Sequence, residues 1–143
     1  MSDVLDYDKT INKSLQHIED ILVKFALQNY VAAGVLFLAY FTAQIPLGIM
    51  ALAVVGLGLI FAWAIWSNIK RYKMLWQLHR ITRDHWIAGQ PGLSAAFDND
   101  PDCKKYLASK AFSPLTFLPV IIINSLPALA AVLLVFWRLA VNG

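Results

Sequence analysis

No charged side chain occurs between Lys24 and Lys70, so residues 25–69 form an uncharged stretch of 45 residues. One helix of this length would measure about 68 Å at about 1.5 Å per residue. A bilayer's hydrocarbon core is only about 30 Å thick and is crossed by about 20 residues. A glutamine, a proline and a glycine fall together in residues 44–48, at the midpoint of the stretch. The sequence therefore predicts two spans joined by a tight turn.

A second uncharged stretch, Ala111–Trp137, is 27 residues long and is also long enough to span. It contains three prolines and a central Asn124. Proline frees backbone groups that neighbouring helices must satisfy in a membrane, so we expect either a kinked span or a re-entrant segment, and we favour the span. The whole chain is 59% hydrophobic and 15% charged, against about 25% charged in soluble domains. Three spans in 143 residues leave little chain for a separate soluble catalytic domain.

The predicted fold class is an all-α integral membrane protein with a single membrane domain, residues 1–143. Its predicted segments are a cytoplasmic amphipathic helix (1–28), a transmembrane hairpin (29–66), a cytoplasmic helical segment (67–114) and a third, proline-kinked transmembrane helix (115–137). The glycines and the proline of residues 88–92 are expected to end the helix that leaves the hairpin. A short helix is predicted from Asp100 to about Lys110, because Pro101 suits a first helical position.

An apolar seam with heptad spacing runs along the predicted helix 3–25, with one weak position at Asp8. Its members are Val4, Ile11, Leu15, Ile18, Leu22 and Phe25. Such a seam packs either against another helix of the same chain or against a second subunit, and the sequence does not choose between them. In the second span, Gly58 and Ala62 have the small-xxx-small spacing that lets helix backbones approach in lipid. Their expected partner is the other helix of the hairpin.

Aromatic and basic residues gather where the second span ends. We expect a belt at the lipid headgroups, because aromatic rings and basic side chains favour that zone. The residues assigned to it are Trp63, Trp66, Lys70, Arg71, Lys73 and Trp76. The basic residues of this segment, which include Arg80 and Arg83, can meet either anionic phospholipids or the acidic N-terminal helix. The excess of Lys and Arg in residues 67–114 places this segment and the N-terminus in the cytoplasm, and it leaves Arg138 on the opposite side.

Enzyme motifs and metal-ligand patterns are missing from the sequence. His79 and His85 are expected to be helix-surface residues, since six positions separate them. No Asp, Glu, Lys, Arg or His lies inside a predicted span, which argues against proton relays and charge-coupled transport. Asn124 is then either a hydrogen-bonding link between helices or the lining of a pore in a ring of subunits. We predict no enzyme activity, no cofactor and no metal.

The segment Gly56–Trp63, followed by Ile69, Tyr72-Lys73, Leu75 and Ile81, resembles a pattern of small bacterial membrane proteins. The RipA-like octameric membrane proteins and the related two-span SLATT effector domains have a hairpin that leaves the membrane through a tryptophan. The resemblance covers residues 5–82 and a proline-led apolar segment near Pro119. It departs at Trp76 and Thr82-Arg83, where those families have an asparagine and an acidic residue. The resemblance implies a homo-oligomeric ring in the inner membrane, and its SLATT relatives are proposed to perforate membranes.

Two functions are consistent with these features. The first is a non-enzymatic, homo-oligomeric integral membrane protein that acts as a scaffold or a pore-like assembly in the bacterial inner membrane. The second is an accessory subunit of a larger membrane enzyme or transport complex. The expected partners are the lipid bilayer, anionic phospholipid headgroups, and other copies of the chain or other membrane subunits. Nucleic acid is not an expected partner, because a basic cluster beside a span is explained by the membrane itself.

Overall fold

The computed structural model describes residues 2–90, 92–101 and 114–142, and helix is the only regular secondary structure within these ranges. The helices are α1 (Ser2–Phe41), α2 (Leu47–Gly89), α3 (Gly92–Asn99) and α4 (Leu118–Asn142), with a 3-10 turn at Pro114–Phe117 before α4. Three of them, α1, α2 and α4, are long and apolar enough to cross a membrane. The predicted all-helical class with three such helices is confirmed at this level. The helix predicted from Asp100 to Lys110 lies, after its first two residues, outside the described part of the chain.

A Schellman turn ends α1 and leads into α2. The N–H of Gln44 donates to the carbonyl of Ala39 at 2.9 Å, and the N–H of Ala43 donates to the carbonyl of Tyr40 at 2.9 Å. Ala43 has a φ of 59°, the left-handed conformation that this turn requires and that glycine usually supplies. Pro46 follows, and α2 begins at Leu47. The chain therefore turns two residues earlier than residues 44–48, where composition predicts the break.

Helices α1 and α2 are each much longer than a bilayer is thick. They contain 40 and 43 residues. At about 1.5 Å per residue they measure about 60 and 65 Å, roughly twice the hydrocarbon core. Only part of each helix can therefore lie in apolar surroundings, and the rest must be covered by protein or water.

The chain forms two compact units, and α1 and α2 contribute to both. We call Met1–Asp20 with Asn68–Pro114 the charged unit, and Ile21–Ser67 with Leu115–Gly143 the apolar unit. The apolar unit contains only two charged residues, Lys24 and Arg138, and no acidic residue. Helix α3 belongs to the charged unit and α4 to the apolar unit.

The core of the apolar unit is built from small and flexible side chains of three helices. Ala33 of α1, Met50 and Val54 of α2, and Ala131 of α4 are buried in one cluster. A Cβ placed on Gly58 would lie 3.5 Å from the Cβ of Ala128, so α2 and α4 are in van der Waals range there. Phe25 and Phe61 add a ring contact at 6.2 Å between α1 and α2. These contacts pack the three apolar helices against one another.

Leu93 and Phe97 of α3 form the centre of the core of the charged unit. Val4 and Leu5 of α1 and Trp86 and Ile87 of α2 pack against this pair. Helix α3 is not anticipated from the sequence, because its eight residues are too few to show a clear period. In the structure it covers the ends of α1 and α2 that belong to this unit.

Candidate functional site

Four of the six residues of the predicted α1 seam are buried within a single chain, and Val4 and Phe25 are half-buried. Ile11, Leu15, Ile18 and Leu22 are each 7% exposed or less. The same spacing of buried positions continues to Ala33. The sequence allows this face to pack against the same chain or against a second subunit, and in the structure it packs against helices of the same chain. Two polar residues, Asp8 and Asn29, interrupt this buried line, and each meets polar groups on other helices.

In the charged unit, the carboxylate of Asp8 is fully buried and receives three hydrogen bonds. Arg83 Nη2 donates to Asp8 Oδ2 at 2.7 Å. Asn12 Nδ2 donates to the same oxygen at 3.2 Å. His79 Nε2 is hydrogen-bonded to Asp8 Oδ1. Because an ionised carboxylate only accepts, His79 must carry a proton on Nε2 when Asp8 is charged. We call these four residues the Asp8 cluster.

The guanidinium of Arg83 lies between two helices. One side pairs with Asp8 of α1, and its Cζ lies 4.6 Å from the ring centre of Phe97 in α3. The ring face is electron-rich, so this contact favours the cation. Arg83 is 5% exposed and His79 is 3% exposed. The cluster therefore joins α1, α2 and α3 through charged groups that are shielded from water.

The burial of these side chains limits the roles that the Asp8 cluster can have. Breaking a buried ion pair by removing one partner costs about 3–5 kcal/mol, because the remaining charge stays without compensation. An Asp–His pair can orient a base in an enzyme, but substrates must reach it, and these side chains have almost no accessible surface. The geometry therefore fits a lock that fixes which residues of α1 and α2 face each other, the best-attested role of buried polar groups.

The Asp8 cluster corrects one sequence-based expectation. His79 is not a helix-surface residue, whereas His85 is exposed as predicted. Arg83 meets the acidic N-terminal helix, one of the two partners expected for the basic segment. A signal was present in the sequence: a carboxylate at a seam position needs a partner, and His79 and Arg83 are four residues apart on one helix face.

In the apolar unit, a second polar cluster links α1, α2 and α4. Asn29 Nδ2 donates to the carbonyl oxygen of Asn124 at 2.9 Å and lies 3.1 Å from Asn124 Oδ1. Asn124 Nδ2 donates to the carbonyl oxygen of Gly58 at 3.3 Å. Asn29 and Asn124 are both buried. We call this group the Asn124 cluster.

In α1 and α2 the Asn124 cluster lies more than ten residues from the turn that joins them, and in α4 Asn124 is six residues after the start of the helix at Leu118. Asn29 is twelve residues before the end of α1 at Phe41, and Gly58 is eleven residues after the start of α2 at Leu47. These separations correspond to about 16–18 Å, close to half of a hydrocarbon core about 30 Å thick. In such surroundings an unpaired amide is costly, so its hydrogen bonds favour one arrangement of the three helices.

The Asn124 cluster lies next to the carbonyl that Pro127 leaves without its helical donor. Pro127 has no N–H for the carbonyl of Ile123, one turn before it. The carbonyl of the next residue, Asn124, accepts from Asn29 of α1. A neighbouring helix thus supplies a donor near the proline, as expected for proline in an apolar helix. A link between helices is one of the two roles that the sequence allows for Asn124, and the sequence does not indicate Asn29 as its partner.

The residues assigned to a headgroup belt differ in how far they are exposed in the structure. Trp63 and Trp66 are more than half exposed, and Lys70, Arg71 and Lys73 are exposed. Trp76, in contrast, is 8% exposed and lies inside the charged unit, so little of its ring is left for lipid. Tyr72, from the same segment, is also buried, and its hydroxyl donates to Glu19 Oε1 at 2.9 Å.

The two residues of the small-xxx-small pair in α2 also differ in burial. Gly58 is buried and faces Ala128 of α4, so its neighbour is not the hairpin partner α1 that the sequence reading expects. Ala62, one turn later, is exposed. Asn124 is turned into the unit and bonded there. It is therefore a link between helices in this structure, and its side chain is not presented on the outer surface.

Comparison with known proteins gives no match for this chain among protein-family models, curated proteins or solved structures. Within the described residues, no group of three His, Cys, Asp or Glu side chains is placed to hold a metal ion.

Proposed function

We propose that the chain is a non-enzymatic integral membrane protein that acts by assembly, as a homo-oligomeric scaffold or pore-like complex. The observation that carries this proposal is the large apolar surface left uncovered on three long helices. In their most apolar windows, only 22%, 28% and 17% of the residues of α1, α2 and α4 are buried. A soluble monomer rarely exposes such continuous apolar surface. Lipid and neighbouring subunits are the surroundings that suit it.

The charge distribution supports placement of the apolar unit in the bilayer. Its two charged residues, Lys24 and Arg138, are the only ones in residues 21–67 and 115–143. The exposed basic residues Lys70, Arg71 and Lys73 of α2 then stand at the cytoplasmic headgroups, and the turn between α1 and α2 stands on the other side. This is the orientation expected of the bacterial inner membrane, and the anionic headgroups there are the proposed partners of Lys70, Arg71 and Lys73.

Orientation is tested by thiol labelling in sealed inverted and right-side-out vesicles. The variants are Arg71→Cys and Gln44→Cys, each made in a Cys103→Ser background. Both positions are exposed, so they differ in predicted side and not in burial. A membrane-impermeant maleimide should label Arg71→Cys only from the cytoplasmic face and Gln44→Cys only from the opposite face. Labelling of both from one face contradicts the hairpin.

Self-assembly is tested by native mass spectrometry of the purified chain in mild detergent. A homo-oligomer gives a discrete multiple of the 16.0 kDa chain. A chain that is found only as a monomer, or only bound to other polypeptides, favours the second candidate, an accessory subunit of a larger membrane complex. That candidate explains the same uncovered apolar surface by contact with different proteins.

The contact between subunits should be sought on exposed faces, since the α1 seam is already buried in its own chain. Single cysteines at Leu52 and Leu59, both strongly exposed on α2, are suitable for disulfide cross-linking in membranes. The buried Val54 of the same helix is the matched control. Cross-linking at exposed positions with a helical period, and none at Val54, supports homo-oligomers. The ring that the family resemblance implies stays a prediction until the subunit number is measured.

A further inference from the structure

We infer that the apolar unit has an anionic phospholipid site at the end of α4, built around Arg138 and Tyr40. The inference rests on the membrane placement proposed above, but it concerns the leaflet opposite the basic segment of α2. Orientation by the Lys and Arg count leaves Arg138 as the exception, and a bound lipid phosphate gives this residue a role.

The position of Arg138 along α4 fits the depth of lipid phosphates. Residues 118–137 of this helix are uncharged and number twenty. At about 1.5 Å per residue they measure about 30 Å, the thickness of a hydrocarbon core. Arg138 is the next residue, so its guanidinium stands where the headgroup layer begins.

No acidic side chain of its own unit can supply a counter-charge for Arg138. Residues 21–67 and 115–143 contain no Asp or Glu. Among the described residues, the hydrogen bond of Arg138 runs from Nε to the hydroxyl of Tyr40, at 3.3 Å. This bond fixes the plane of the guanidinium. Its two terminal nitrogens carry the paired donors that match phosphate oxygens.

The surroundings of the Arg138–Tyr40 pair suit an amphipathic occupant better than a soluble anion. The pair separates two open clefts, of about 530 and 660 Å³. Leu47, Val135 and Leu139 line the first cleft, so its walls are mainly apolar. Trp137, beside Arg138, is 61% exposed. A phospholipid places its phosphate against the guanidinium and its acyl chains along these apolar side chains, whereas inorganic phosphate gains only the first contact.

The test measures lipid adducts by native mass spectrometry of the full chain in detergent. The probes are a phosphatidylglycerol, a phosphatidylcholine with the same acyl chains, and inorganic phosphate. The variants are Arg138→Gln and Lys13→Gln, which each remove one positive charge from an exposed side chain, the first in the apolar unit and the second in the charged unit. Tyr40→Phe removes only the phenol hydroxyl. Thermal unfolding without lipid confirms that each variant is folded.

Phosphatidylglycerol should bind wild type more tightly than phosphatidylcholine does. Arg138→Gln should weaken the affinity for one bound phosphatidylglycerol at least fivefold. Tyr40→Phe should weaken the same binding event by a smaller factor. Lys13→Gln should leave this event unchanged, because Lys13 lies in the charged unit and outside the residues proposed to meet lipid headgroups.

Three results would overturn the inference. The first is equal phosphatidylglycerol binding by wild type and Arg138→Gln. The second is an equal loss of binding in Arg138→Gln and Lys13→Gln. The third is competition by millimolar inorganic phosphate, which would indicate a free-anion site. Extraction of membranes at alkaline pH tests membrane insertion separately. An inserted protein without the Arg138-dependent lipid refutes this site and leaves the proposed function standing.

Discussion

Replacement of Asp8 by alanine is the sharpest test of the buried line along α1. The carboxylate is fully buried and receives hydrogen bonds from Arg83, His79 and Asn12. Its loss leaves the Arg83 guanidinium, 5% exposed, without its buried anion. Breaking one partner of such a pair costs about 3–5 kcal/mol. We therefore expect Asp8→Ala to reduce the free energy of unfolding of the charged unit by about this amount.

Asp6→Ala is the matched control. It removes the same charge from the same helix, two residues earlier, at an exposed position. Surface changes of this kind usually stay within about 0.5 kcal/mol. Thermal unfolding in detergent, followed by tryptophan fluorescence, should show a loss of roughly 10 °C or more for Asp8→Ala, at about 4 °C per kcal/mol. Hydrogen exchange should locate the weakening in the N-terminal half of α1 and in α3.

A double substitution separates the ion pair from simple packing. Asp8→Leu with Arg83→Met removes both charges and keeps apolar volume, and such replacements of buried pairs are often neutral or stabilising. The double variant should therefore be more stable than the sum of the two single changes predicts. If Asp8→Ala loses no more than Asp6→Ala, or if the double variant loses the full sum, the lock is refuted.

Three smaller changes test the apolar unit by thermal unfolding in detergent. Asn124→Leu removes the α4 side chain that bonds to both α1 and α2. It should lower the free energy of unfolding by about 1–2 kcal/mol, since hydrogen bonds between apolar helices contribute about that much. No change in stability would contradict the link. Gly58→Ala should be tolerated, because its Cβ would meet the Cβ of Ala128 at an ordinary 3.5 Å. Gly56→Ala is the control, since its Cβ would enter open space and change only the helix propensity. A strong loss of stability in Gly58→Ala alone would show a tighter contact. Ala43→Gly should raise stability by about 1 kcal/mol, because the left-handed conformation disfavours a Cβ; a loss would refute the Schellman turn.

The sequence by itself determines which parts of the chain can enter a membrane. Long uncharged stretches can be covered only by lipid or by protein, and their lengths predict the number of crossings. A glutamine, a proline and a glycine in residues 44–48 predict the turn to within two residues, because their backbone preferences act locally. The heptad spacing likewise identifies the buried face of α1, including Ile11 and Leu15, since helical periodicity is a local property.

Only the tertiary structure decides which residues meet across helices. The same heptad spacing suits a partner in the same chain or in another subunit, so pattern alone leaves both open. In the sequence, Asp8 is a weak position of the seam, and only the structure shows that Arg83, 75 residues later, pairs with its carboxylate. In the sequence, nothing distinguishes Asn29 within its span, and only the structure shows that it donates a hydrogen bond to Asn124, 95 residues later. A single sequence carries the period of a helix, but pairings over such separations depend on the packing of the whole chain.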